Sequence, residues 1–340
     1  MNNCDSCAEQ VCKTAPHRVF FNWDIIHKCN YHCDYCPFTV KGWEKYDSPD
    51  VIPPLEDLVR AWERMRALYG ACHIMISGGE PSIYKDFPRL LGAISKWHTL
   101  EIITNLSFDP DPIIGLVPPT GIRFASSLHT QFTSAKDFLA RARKLKKAGM
   151  EVFTNFVAYP PLLKDAAELK AAFKDEGIPF FILPFIGTYD GRVFPRDYSE
   201  AERAAYDDAL KSKDDAANIS RDLLNWRTGD NAPVVVPGRD APVRSEHAAP
   251  PPERDVVCRM GQMYAKIYPD GKTQRCCGFV GDTLPPEHHS NLGNIFKDPG
   301  FKLHEAPVRC TKTPCPCERC MLVGSEEKWE SRWKINLIKP

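Results

Sequence analysis

An α/β fold, built as an open, partial (β/α)6 TIM-like barrel with a small C-terminal β-hairpin-plus-helix unit, is what this 340-residue sequence predicts. Two observations point to the barrel. From Arg18 to about Pro184, strand-like apolar runs alternate with amphipathic helical stretches. Gly70, Gly149 and Gly177 each stand just past a helical stretch, where a left-handed residue closes the last turn. A third observation limits the barrel: a closed eight-fold ring needs two more strand–helix repeats than the chain offers.

Strands are expected at 19–23, 73–77, 100–104, 122–127, 152–157 and 179–183, with helices at 55–69, 87–97, 111–116, 135–148 and 163–176. In such sheets ligands sit at the carboxyl ends of the strands. Helical stretches near 199–210 and 219–226 come next. Residues 228–257 are rich in Pro, Gly and Ala, include Pro250-Pro251-Pro252, and read as a linker or as a lid over the barrel mouth. The organisation is thus a cysteine-rich extension (1–17), the barrel (18–227), the linker (228–257) and a C-terminal unit (258–340).

Lysine plus arginine equals aspartate plus glutamate at 44 each, so the chain lacks the basic surplus a general nucleic-acid binder needs. The basic run 141–147 reads as the solvated face of an amphipathic helix. No apolar leader follows Met1 and no run of eighteen apolar residues occurs, so a cytoplasmic protein without a membrane partner is expected. There the 14 cysteines, grouped at the two ends in short spacings, bind metal more readily than they form disulfides. Cys72, beside a core strand, reads as simply buried, and Cys277 as a neutral neighbour of Cys276 or a thiol hydrogen donor.

The sharpest signal is Cys29-Asn-Tyr-His-Cys33-Asp-Tyr-Cys36, three cysteines at C-x3-C-x2-C spacing just after the first strand. Three thiolates can hold three corners of an iron–sulfur cube and leave one iron open, as a catalytic rather than a structural site requires. The alternative is a zinc knuckle with His27 or His32 as fourth ligand. With Tyr35 before the third cysteine and Ser77-Gly78-Gly79-Glu80-Pro81 ending the second strand, the motif resembles that of the radical S-adenosylmethionine (SAM) superfamily.

That resemblance implies a [4Fe–4S] cluster on Cys29, Cys33 and Cys36, whose open iron chelates the amino and carboxylate groups of SAM. Reductive cleavage then gives a 5′-deoxyadenosyl radical. Tyr35, Gly78, Gly79 and Glu80 are expected around the cosubstrate, the glycines letting backbone approach its methionine moiety. Glu80 would receive the methionine amino group, or else cap the next helix. Thr104-Asn105-Leu106 stands where relatives carry Thr-Asn-Gly, and Ser127-Leu128-His129 where many carry Ser-Leu-Asp. With Asn155 these are candidates for ribose and carboxylate contacts, or polar groups that merely satisfy strand ends. His129 is also a candidate base or substrate contact, and Tyr189, Asp190 and Arg192 are candidates to meet substrate.

Toward the C-terminus the order C-x12-G-x4-C, Leu292-Gly-Asn-Ile295, then C-x2-C resembles the auxiliary-cluster domain of SPASM and twitch enzymes. The resemblance assigns an auxiliary [4Fe–4S] cluster to Cys258, Cys276, Cys317 and Cys320; a Cys4 zinc ribbon is the competing reading. Cys4, Cys7, Cys12, Cys310 and Cys315 remain over, for a third cluster or zinc site or for no metal. The family with the closest ligand spacing is the butirosin-type aminocyclitol dehydrogenases. The expected function is therefore two-electron oxidation of a small polar, sugar- or cyclitol-like substrate, with a flavodoxin- or ferredoxin-like electron donor. Peptide side-chain modification, redox-neutral epimerisation or elimination, and a non-enzymatic metal scaffold or electron carrier are the rivals.

Overall fold

The computed structural model describes residues 19–36, 51–210, 256–276 and 287–310. Cys4, Cys7, Cys12, Cys277, Cys315, Cys317, Cys320, the helix expected at 219–226 and most of the linker lie outside them. Six parallel strands alternate with helices: β1 (Phe20–Ile26), α1 (Leu55–Tyr69), β2 (His73–Gly78), α2 (Phe87–Ile94), β3 (Thr99–Thr104), α3 (Asp111–Leu116), β4 (Ile122–Ser127), α4 (Ala135–Lys147), β5 (Glu151–Ala158), α5 (Ala166–Asp175) and β6 (Phe180–Pro184).

The period-2 alternation of each strand divides two environments. Along β1, Phe21, Trp23 and Ile25 are fully buried under the helices, while Asn22 and Asp24 face the barrel interior. Phe21 and Trp23 meet Trp62 of α1 at ring-centroid distances of 5.3 and 5.5 Å. Trp62 shares its helix face with buried Leu55, Leu58 and Met65, one apolar stripe at three- and four-residue spacing. On β5 the pattern inverts cleanly: Val152, Thr154, Phe156 and Ala158 are buried, whereas Phe153, Asn155 and Val157 are half-buried in the open interior.

The basic run 141–147 lies on α4, capped by Ser134, which accepts from the Asp137 amide at 3.1 Å. Arg143 pairs with Glu176 and Lys144 with Asp111, while Lys146 donates to the Glu176 and Gly177 carbonyls. It is a paired helix surface, as its spacing suggests. The helix expected at 87–97 stops at Ile94, because His98 turns inward to accept from the Cys72 amide (3.1 Å) and to bond the Trp62 carbonyl (2.9 Å). The one expected at 163–176 begins as a 3-10 turn, Pro160–Asp165, since two leading prolines carry no amide hydrogens.

After β6 comes a hairpin that the sequence reading missed, β7 (Gly187–Tyr189) and β8 (Arg192–Phe194), turned at Asp190 and Gly191 with φ of 48° and 70°. Helix α6 (Glu200–Leu210) follows, and then β9 (Val256–Cys258), which takes the last two residues of the expected linker. The C-terminal hairpin, β10 (Tyr264–Ile267) and β11 (Lys272–Gln274), is not a separate layer. Strand β10 pairs parallel with the outer edge of β1, and β12 (Asn291–Asn294) adds beyond β11. The sheet order is β12-β11-β10-β1-β2-β3-β4-β5-β6. An open β1 edge would leave a row of unpaired amides; β10 satisfies them and carries fully buried Ala265 and Ile267 into the core. Strand β13 (Val308–Cys310) pairs antiparallel with β9. No helix occurs among the described residues of 258–310, and no described helix is long and apolar enough to cross a membrane.

The floor of the barrel is ionic. Glu101 of β3 stands 3.0 Å from Arg123 Nε and 3.7 Å from His73 Nε2, with Arg123 and His73 both buried. Burial alone would raise the Glu101 pKa, but the His73 hydrogen bond and the Arg123 charge outweigh it and hold it below the ordinary value. A depressed carboxylate stabilises the fold above the unfolded-state pKa of about 4.3, and that contribution fades as pH falls through the folded value. Glu101→Gln is therefore expected to cost about 3 kcal/mol at pH 7, by urea denaturation, and to flatten the loss of stability below about pH 4. An acid limb as steep as the wild-type limb would contradict this.

Candidate active site

Strand ends β1, β2 and β3 meet at the carboxyl mouth of the barrel through two glycines. A Cβ at Gly78 would lie 2.0 Å from the Ile26 carbonyl oxygen, and one at Gly79 would lie 2.0 Å from the Lys28 oxygen and 2.4 Å from that of His27. The Gly79 amide donates to the Ile26 carbonyl (2.8 Å) and the Glu80 amide to that of Lys28 (2.9 Å). Gly78 also sits at φ 133°, which side chains avoid. The glycines were expected to admit a ligand. They also admit the backbone leading into Cys29.

Glu80 is fully buried, and burial pushes its carboxyl pKa up. One oxygen accepts from the Ser82 amide (3.0 Å) and the Thr104 hydroxyl (2.8 Å), the other from the Asn105 amide (2.6 Å). It thus caps the 3-10 turn Pro81–Ile83, the alternative role foreseen, and clamps the end of β3. Asn105 in turn donates through Nδ2 to Asn30 Oδ1 (2.9 Å) and lies 3.8 Å from Cys29 Sγ. Leu106, where relatives carry glycine, takes φ 56° and is fully buried. Its apolar burial offsets a left-handed backbone that costs about 1–2 kcal/mol.

Cys29, Cys33 and Cys36 occupy the loop directly beyond β1. Cys33 is buried and the other two half-buried. Burial, then the charges of Cys36 and Cys29, push the Cys33 thiol up to about 12; burial likewise raises that of Cys29. Three thiolates on one short, partly buried loop are stabilised by a multiply charged cation bound among them, and that is the fit test for an iron–sulfur centre. The chemistry of the donor set agrees: thiolate-only, with no fourth protein ligand in the loop. His27, offered as a zinc ligand, lies 3.9 Å from Asp24 and packs edge-on to Tyr268, and His32 is exposed. Among the described residues no three His, Cys, Asp or Glu side chains already gather in the geometry of a single metal ion.

Tyr35, between the second and third cysteines, shares a 2.8 Å hydrogen bond with His129 Nδ1. Burial lowers the His129 pKa to about 4, so the imidazole is neutral near pH 7 and a poor proton acceptor, which weakens the base role. Aromatic rings continue from this pair on both sides, Tyr35 to Tyr159 to Tyr189 at 5.1 Å each and Tyr31 to Phe132 at 4.9 Å. Ser127 and Asn155 are cross-strand neighbours, both half-buried on the interior face. Tyr189 packs edge-on against Tyr159. Arg192 is held by both carboxylate oxygens of Glu202 (2.8 and 3.2 Å) and lies over the Phe194 ring. Its bonds are those of a structural ion pair beside the hairpin turn, and no contact joins it to the cysteines among the described residues.

Of the C-terminal cysteines, Cys276 is buried just past β11. Cys258 ends β9, paired opposite Val308, so Cys310 on β13 stands two residues along from the position facing Cys258. The sequence reading missed Arg275, which is buried beside Cys276. It donates to the Met260 (3.1 Å), Arg309 (3.0 Å) and Val308 (3.2 Å) carbonyls and so fastens the hairpin to the β9–β13 ribbon. Asn30 and Tyr159 were missed as well; nothing in their spacing marks them. Asp24 could have been found, as a carboxylate on the polar face of the strand that precedes the cysteines.

Residues 23–130 match the family model described as the Radical SAM superfamily. GTP 3′,8-cyclase of Vibrio atlanticus is 31% identical over 93 residues, 26% of this chain and 27% of that enzyme; the chain thus matches about a quarter of the length of that relative. Among solved structures, Streptococcus suis SuiB bound to precursor peptide SuiA superposes with a TM-score of 0.56 at 16% identity, over 88% of this chain and 69% of that one. The enzyme anSMEcpe with bound AdoMet and the Cp18Cys peptide gives 0.50 at 15% identity, over 95% and 98%. BtrN with AdoMet and 2-DOIA reaches only 0.34, too low to weigh on the reaction. The likenesses to solved structures establish the fold, a partial α/β barrel, and residues 23–130 within it match the Radical SAM superfamily model.

Proposed function

We propose that this protein cleaves SAM reductively and uses the resulting radical to remove a hydrogen atom from a small polar substrate, completing a two-electron oxidation. The observation that carries the reading is the seating of the Gly78-Gly79 backbone on the carbonyls that lead into Cys29. It joins the three-thiol loop to the Glu80 turn at the mouth of a radical SAM domain. Cys29, Cys33 and Cys36 would hold a [4Fe–4S] cluster, which with SAM on its open iron supplies the electron that breaks the carbon–sulfur bond. Tyr35 and neutral His129 form a wall beside the cysteines, and Ser127 and Asn155 offer polar groups on the interior face. Asn105 secures Cys29 from the side of β3. Cys258 and Cys276, with Cys317 and Cys320, are the ligands proposed for an auxiliary cluster that takes up the electron left on the substrate. A flavodoxin- or ferredoxin-like protein would supply electrons to the first cluster.

A second reading is modification of a peptide side chain, because SuiB and anSMEcpe, which share the fold over most of this chain, are seen with bound peptides. Product analysis separates the two: the first yields an oxidised small molecule with one SAM cleaved per product, one electron leaving with the hydrogen atom in 5′-deoxyadenosine and the other passing to the auxiliary cluster, whereas the second leaves its mass change on a peptide.

Anaerobically reconstituted protein given dithionite and SAM is expected to form 5′-deoxyadenosine. Cys29→Ala/Cys33→Ala/Cys36→Ala should abolish this, while Cys258→Ala/Cys276→Ala should retain part of it, by chromatography of the nucleoside. No product from a fully iron-loaded wild type would favour a metal scaffold. Gly79→Ala tests the seating itself: with a Cβ 2.0 Å from the Lys28 oxygen the loop must shift, and iron content should fall by about four per chain with little change in circular dichroism. Full iron retention would refute the role given to the glycines.

A further inference from the structure

Nearer the mouth than the Arg123–Glu101 floor, the inner face of the sheet holds another buried cation, and its contacts join the strands that carry both cysteine groups. Lys266 of β10 is 7% exposed. Its ammonium lies 2.5 Å from Asp24 Oδ1 and donates to Asn22 Oδ1 at 3.0 Å. Asp24, only 2% exposed, also accepts from the Ser77 hydroxyl at 2.7 Å, and Ser77 lies 3.3 Å from Asn22 Oδ1. Each strand so joined leads to a different part of the site. Strand β1 runs on to Cys29, β2 to Gly78 and Gly79, and the β10–β11 hairpin to Cys276.

Stability alone does not account for this pair. Removing an ammonium and a carboxylate from water is costly, and apolar residues of similar volume often serve a core as well. What buried charges do specify is register. A one-residue slip of β10 against β1 would turn Lys266 outward into the helix-covered core and bring Ala265 or Ile267 into the polar interior. The lysine therefore admits one alignment, and the same carboxylate that reads it also holds Ser77.

We propose that Asp24 and Lys266 are a positioning pair. They lock the hairpin bearing Cys276 in register on β1 and hold Ser77, and with it Gly78 and Gly79, where the methionyl end of SAM is bound. The hairpin and the cosubstrate site thus behave as one unit. The cosubstrate arm of this inference rests on the reading given under Proposed function; the coupling of strands does not.

Asp24→Asn/Lys266→Met removes both charges and leaves neither ion unpaired. In metal-free protein, amide hydrogen exchange is expected to quicken together at 264–267 and at 77–79, while the urea midpoint stays near that of wild type. Faster exchange at 264–267 alone would overturn the coupling. In reconstituted protein the dissociation constant for SAM is expected to rise about ten-fold or more, and an unchanged value would overturn the positioning role. If the double variant does not fold, Ser77→Ala decides, since it leaves both charges paired and cuts only their link to the glycines. It should weaken SAM binding by about three-fold, and wild-type affinity would overturn the proposal. Failure of wild type to bind SAM at all would instead remove the cosubstrate reading, with the exchange measurement still deciding the coupling.

Discussion

Two backbone segments approach each other at the mouth of this barrel more closely than any side chain would permit, and the arrangement of the site depends on that approach. The turn after β2 lies on the carbonyls of Ile26, His27 and Lys28, so the second strand fixes where the cysteine loop begins. Glu80, the next residue, reaches across to β3 and secures Thr104 and Asn105, and Asn105 reaches back to Asn30 and Cys29. The loop is thereby held from two strands at once. A metal-binding loop held in this way has already lost much of the conformational freedom that binding would otherwise cost it.

The interior of the barrel carries buried charges arranged in layers. At the floor, Glu101 lies between His73 and Arg123; nearer the mouth, Asp24 lies between Lys266 and Ser77. The upper layer draws on a strand from the far end of the sequence. A chain segment more than two hundred residues from β1 completes the environment of the strand that precedes the cysteines, so front and rear of the sequence share one sheet rather than two cores. Arg275 extends the same logic outward, fastening the Cys276 end of the hairpin to the ribbon that carries Cys258 and Cys310.

Much of the barrel could be read from the sequence. Apolar strand-like runs mark β1 through β6, and helix-ending glycines mark three of the repeats, so those elements fall within three residues of expectation. The β7–β8 hairpin was missed because three-residue strands carry too little periodicity to be seen. The pairing of β10 with β1 is a long-range contact, and no local pattern in Tyr264–Ile267 says which edge it will join. At the site, residue types were legible where chemistry dictates them, as in the three cysteines and Gly78-Gly79. Their partners were not. Glu80, read first as a ligand contact, has both oxygens committed to the protein, and Arg192, read as a substrate contact, is committed to Glu202. Local sequence shows which groups are polar and leaves open what they will face.

The central claim is that the loop of Cys29, Cys33 and Cys36 holds an iron–sulfur cluster with one iron free to bind SAM. Electron–nuclear double resonance on the reduced, reconstituted protein mixed with SAM carrying 15N in its methionyl amino group addresses it most directly. The account predicts a 15N hyperfine coupling that appears with the labelled cosubstrate and is lost in the Cys33→Ala protein. A cluster signal indifferent to SAM, or a single zinc ion in place of iron at that loop, would contradict it.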